Sequence, residues 1–200
     1  INKSLTLEGA NAGVNAADGT GAAPATRGAE TVMSHNGLYA FSVNATDVTI
    51  DGFEFTGGNG RLIDWASASN IDGLTIENNI FNMSSGPQNG GVVQLSGTGS
   101  ATNIDIANNL FAGNAFASSG DVSSTWVYVG GSTANGYDGL TLSGNDFTGG
   151  ADNAVFQAAA NFGGLSVTNN YFSGANGLIE GLNMGSLDNP TITGNQFVGV

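Results

Sequence analysis

The sequence predicts an all-β chain: a right-handed parallel β-helix (solenoid) of about six to seven coils, each of roughly 25 residues with three short strands. Three observations predict it. An eight-residue pattern recurs along the chain: aliphatic, Thr, aliphatic, any, Gly or Asn, Asn, any, Phe. The apolar spacing alternates as strands require and never holds a helical period of 3.6. Finally, the 200 residues include 33 Gly, far above the usual ~7 %. With 40 % hydrophobic residues, that glycine content fits tight corners around a core rather than disorder.

The anchor pattern reads VTIDGFEF from Val48, LTIENNIF from Leu74, IDIANNLF from Ile104, LTLSGNDF from Leu140, LSVTNNYF from Leu165 and PTITGNQF from Pro190. A degenerate first copy, LTLEGANA, starts at Leu5, so the start-to-start spacings are 43, 26, 30, 36, 25 and 25. The longer intervals hold insertions near 9–27 and 112–123. A second strand is expected after each Phe: RLIDWA from Arg61, VVQLSG from Val92, WVYVGG from Trp126, AVFQAA from Ala154 and GLIEGL from Gly177. A weaker third run precedes the next anchor, as at 68–71 and 101–104. Residues 1–200 then form a single β-helix domain. Ile1 falls just before an anchor and Val200 just after one, so the domain is expected to be a fragment or subunit of a longer stack.

Each anchor position has a physical reason. The first and third residues (Leu74 and Ile76, Leu140 and Leu142) point inward and stack on their counterparts. The sixth forms a column, Asn79, Asn109, Asn145, Asn170 and Asn195. Asn tolerates left-handed backbone, and its amide can bond the next amide in the stack. The eighth forms a ladder of rings: Phe55, Phe81, Phe111, Phe147, Phe172 and Phe197.

This LTIxNNxFxG repeat resembles that of the pectate-lyase-like β-helix superfamily. The opening INKSLTLEGANAG, with the later RGAETVM, resembles first coils of β-helix modules in large bacterial extracellular and surface proteins. The resemblance spans nearly the whole chain and implies the fold. For activity it implies a wide range, from polysaccharide lyases and hydrolases to adhesins and inert stalks.

Charge narrows the partners. Three Lys+Arg against sixteen Asp+Glu give a net charge of −13, so Lys3, Arg27 and Arg61 cannot build a nucleic-acid-binding patch. No apolar run is long enough for membrane insertion as a helix. The absence of cysteine removes disulfides and thiolate chemistry, and His35 alone cannot supply a multi-His zinc centre.

Two groups of residues are candidate sites. Asp51 and Glu77 share the fourth anchor position in adjoining coils, and Asp105 lies close by. Three carboxylates so placed repel unless a cation or protons relieve them, and calcium is the suited ion. The alternative is a solvated acidic face. On the second strand, Asp64, Gln94, Tyr128, Gln157 and Glu180 form a polar outward column. Asp64 and Glu180, four coils apart at about 4.8 Å per coil, are too distant for a glycosidase pair. No catalytic residue is assigned.

If that column faces out, then Leu62, Val92, Trp126, Val155 and Leu178, two residues earlier, form an exposed apolar stripe, unless an insertion covers it or the strand phase shifts at a bulge. Such a stripe marks an interface. A glycan could also stack on Trp126 and Tyr128 between Gln94 and Gln157. The second anchor position makes a hydroxyl column (Thr6, Thr49, Thr75, Thr141, Ser166, Thr191) interrupted by Asp105. A flat Thr array suggests ice binding, although Thr is also ordinary on exposed strands.

The leading expectation is a non-enzymatic extracellular or cell-surface β-helix module, structural or adhesive. Its partner would be itself, stacked end to end or through the apolar stripe, or further coils of the same polypeptide. The alternative is a polysaccharide-active or carbohydrate-binding β-helix.

Overall fold

The computed structural model describes residues 1–35, 37, 39–57, 61–84, 91–113, 125–130, 137–157, 162–174, 180–184 and 187–200, with side chains at all of these except 156 and 157. Among them every named strand pairs in parallel, and the strands fall into three sheets. Sheet A stacks Leu5–Glu8, Val48–Asp51, Thr75–Glu77, Ala101–Ala107, Tyr137–Ser143, Ser166–Thr168 and Thr191–Thr193. Sheet B stacks Thr31–His35, Phe53–Gly57, Ile80–Met83, Leu110–Gly113, Asp146–Thr148, Tyr171–Ser173 and Gln196–Val198. Sheet C stacks Phe41–Ser42, Ile63–Trp65, Gly91–Leu95, Thr125–Val129, Asn153–Gln157 and Glu180–Met184. The chain visits A, B and C in turn, which makes it a parallel β-helix with three strands per coil. Coils 1 to 7 are numbered here by the anchors at Leu5, Val48, Leu74, Ile104, Leu140, Leu165 and Pro190.

The three strands divide the coil differently from the sequence reading. The anchor is two strands, not one, because its fifth residue turns the chain from sheet A into sheet B. That residue is left-handed in six coils: Gly52 (φ 78), Asn78 (φ 55), Asn108 (φ 58), Gly144 (φ 62), Asn169 (φ 57) and Gly194 (φ 68). Left-handed backbone thus belongs to the fifth position and not to the Asn of the sixth. A second left-handed column stands just before the anchor, at Asp47, Gly73, Asn103, Gly139, Gly164 and Asn189. The weak runs ahead of the anchor, such as Ile71–Asp72 and Phe162–Gly163, belong to sheet A.

Both ladders form. Successive rings from Phe55 to Phe197 stack at 5.1, 4.6, 4.7, 5.1 and 4.7 Å, within 9° of parallel. In the Asn column, each Oδ1 from Asn109 onward accepts from the main-chain N and the Nδ2 of the preceding Asn, as Asn145 Oδ1 does from Asn109 N (2.9 Å) and Nδ2 (3.0 Å). Each Nδ2 also donates to a carbonyl of the coil before, Ile106 O at 2.7 Å in the case of Asn145. The amide column therefore carries the main-chain polar groups through a bend that buries them.

The insertion near 9–27 is a strap that runs along the helix axis over the outside of sheet B. Gly13 N donates to the Asp51 carboxylate in coil 2 (3.0 Å), and Ala16 N donates to Asn108 O in coil 4 (3.0 Å). Buried Ala16 packs on Ile80 and Leu110. The strap reaches Asp146 in coil 5 and returns past Arg27, which donates to Val14 O and, at 3.1 Å, to Asn78 O. Of the insertion near 112–123, all but its first two residues lie outside the described residues.

Candidate functional site

The predicted polar column of sheet C has a changed membership. In register stand Ser42, Asp64, Gln94, Tyr128, Phe156 and Asn183. Gln157 pairs instead with Val129 and Met184, and Glu180 with Asn153. The sequence reading matched polar to polar in coils 5 and 6, whereas the ladder keeps the buried pair before the column in line.

That buried pair removes the exposed apolar stripe. Leu62–Ile63, Val92–Val93, Trp126–Val127 and Ala154–Val155 are consecutive residues, and all eight belong to the core. Two neighbours can both point inward where the chain rounds the corner into sheet C, so strict alternation fails there. Leu62, Val92, Trp126 and Val155 are buried rather than exposed; Leu178 lies outside the described residues. Trp126 sits 5.7 Å from the Phe111 ring and donates its Nε1 to Gly149 O at 3.1 Å. It is a core residue and offers no platform for a sugar.

What remains of the column is bonded locally. The buried Asp64 carboxylate pairs with Arg61 at 3.1 Å. Burial nevertheless outweighs the guanidinium and raises its pKa. Gln94 Oε1 accepts from Gly91 N, and its Nε2 donates to Ser96 Oγ, both at 2.8 Å. Tyr128 is half-buried. A carboxyl with raised pKa beside an arginine is chemically suggestive, yet the described residues bring no second carboxylate into its column.

The acidic residues offered as a calcium candidate lie on adjoining coils of sheet A. Asp51 pairs with Glu77, and Asp105 lies opposite Thr75. The three are close enough that Asp51 and Asp105 add to burial in raising the Glu77 pKa. The Asp51 carboxylate, however, is already taken by Gly13 N and by Asn78 Nδ2 at 2.9 Å. Among the described residues no three His, Cys, Asp or Glu side chains group to hold a metal. Asp105 Oδ1 is buried without a partner, and burial raises its pKa. The hydroxyl column of sheet A is in register throughout, with Asp105 between Thr75 and Thr141.

Asp146, the seventh residue of its anchor, escaped the sequence reading. It is 1 % exposed, and its carboxylate accepts from Asp18 N, Gly19 N and Gly21 N at 3.2, 3.0 and 2.9 Å. Burial raises its pKa against the lowering effect of these donors, and Asp18 adds to the rise. Coil 7 has an open face. Phe197 and Ile192 are 52 % and 44 % exposed, although Phe197 still stacks on Phe172.

The ladders and sheets define the class of protein, a three-sheet parallel β-solenoid. No protein-family model, no curated protein and no solved structure matches the chain.

Proposed function

We propose that the chain is a structural module of an extracellular or cell-surface protein that associates end to end with other copies of the same repeat. The supporting observation is the face of coil 7. Phe197 and Ile192 are exposed there, in positions that earlier coils bury, and Val198 and Val200 are exposed beside them. Asn170 N donates to Asn195 Oδ1 at 2.9 Å, so the amide ladder runs into this coil. Open strand edges and core rings associate unless covered. The repeat itself, with its likeness to β-helix modules of bacterial surface proteins in the pectate-lyase-like superfamily, favours an elongated scaffold. A carbohydrate-active reading has less support, because its main aromatic, Trp126, lies in the core.

Sedimentation velocity over a concentration series tests this. The chain should form species larger than a monomer, and Phe197→Asp, which puts a charge on the open ring stack, should suppress them. A monomer at every concentration, with the same behaviour in the variant, would overturn the reading.

A further inference from the structure

The geometry points to the strap as an axial brace that makes coils 1 to 5 open as one unit. A solenoid normally couples each coil only to its neighbours, so its stability is a sum of local terms and it frays coil by coil. Here one insertion, leaving coil 1 after Glu8, touches coil 2 at Asp51, coil 3 at Asn78, coil 4 at Asn108 and coil 5 at Asp146. The bonds to Asp146 join residues 125 to 128 apart in sequence. At the sheet spacing they bridge about 19 Å along the axis.

The latch at its far end is built for holding. In the outward column of sheet B, Ile80, Leu110 and Asp146 stand in register. Without the strap, all three would meet water. Ala16 seals the two aliphatic side chains, and the loop 18–21 folds its main-chain N–H groups around the carboxylate. Left-handed Gly19 (φ 78) and Gly21 (φ 88) let successive N–H groups converge, as in other anion-binding loops. Hydrogen bonds to an ionised carboxylate are about twice as strong as neutral ones. At the near end, Arg27 is buried in a fork with Glu30 (2.8 and 2.9 Å) and holds both the strap, at Val14 O, and coil 3, at Asn78 O. Beyond the latch, Gly21 lies beside the Tyr171 ring of coil 6.

Site-resolved native-state hydrogen exchange tests the brace. In the parent chain, amides in the sheet A and B strands of coils 1 to 5 should share one opening free energy, with coils 6 and 7 opening at a lower one. Asp146→Asn replaces one acceptor oxygen by a donor, so protection across Tyr137–Ser143 and Asp146–Thr148 should fall by about tenfold or more, towards that of coils 6 and 7. Gly19→Val serves as the second variant. It strains the strap at a φ of 78 while its Cβ meets nothing within 4 Å, so the coils keep their own side chains. It should uncouple coil 5 in the same way. If either folded variant frees the strap amides while coils 1 to 5 still share one opening energy, the brace is refuted and the strap is only a cover. Independent opening of coils 1 to 5 in the parent chain would refute it as well.

Discussion

Replacing Asn145 by Ala should cost far more than the same change at Asn195, although both occupy one column of the repeat. Asn145 is fully buried. Its Nδ2 donates to Ile106 O and Asn170 Oδ1, and its Oδ1 accepts from Asn109 N and Nδ2. Alanine therefore strands the buried Asn109 N–H, at about 1–3 kcal/mol, and removes the remaining bonds of the amide, for a total of about 2–5 kcal/mol. Asn195 accepts the equivalent pair from Asn170, but its coil is open, so water can replace the lost acceptor and the cost falls to about 0.5–1.5 kcal/mol. Asn145→Asp should be worse than Ala at neutral pH, since an anionic oxygen then faces Ile106 O and Asn170 Oδ1. Urea unfolding followed by circular dichroism gives the three values. Equal losses for Asn145→Ala and Asn195→Ala would refute the claim that buried main-chain satisfaction is what the ladder supplies.

Other predictions follow from the same contacts. Phe111, between the Phe81 and Phe147 rings, should lose about 3–5 kcal/mol on change to Ala, measured by the same unfolding, and Phe197→Ala much less. Trp126→Ala should lower the melting temperature sharply by opening the core, which a surface binding residue would not do. Asp64, Glu77, Asp105, Asp146 and Asp152 all have pKa values raised chiefly by burial. A raised folded pKa contributes stability that is complete below the unfolded value and is lost as pH rises through the folded one. Asp18 and Asp72, lowered by hydrogen bonds from Thr20 and Thr102, act in the opposite sense. Thermal melts should therefore show stability rising as pH falls from neutral towards the ordinary carboxylate range. Asp105→Thr, which completes the hydroxyl column, should raise the melting temperature at neutral pH and do little once the parent carboxyl is protonated.

The coil was legible because each of its inward positions recurs. Six Phe and five Asn at fixed offsets leave little freedom in how the coils align, and the first and third anchor residues are apolar in almost every copy. Events that occur once, or between repeats, were not legible. Left-handed backbone sits at the fifth position because the corner falls there, and Gly or Asn at both the fifth and sixth positions hid which residue turns. The inward pair Trp126–Val127 broke an alternation rule that holds along strands but not round corners. Asp146 occupies the seventh anchor position, which the repeat leaves open to any residue, and nothing in the anchor tells how far the Gly/Ala-rich segment reaches along the axis. The anchor likewise gave no sign that the strap had already claimed the carboxylate of Asp51.

Amide hydrogen exchange in the last coil, followed as protein concentration rises, tests the scaffold account most directly. If a further coil pairs with the open edge, protection in Thr191–Thr193 and Gln196–Val198 should grow with concentration and vanish in Phe197→Asp. Fast exchange there, unchanged by concentration and by the substitution, would contradict it.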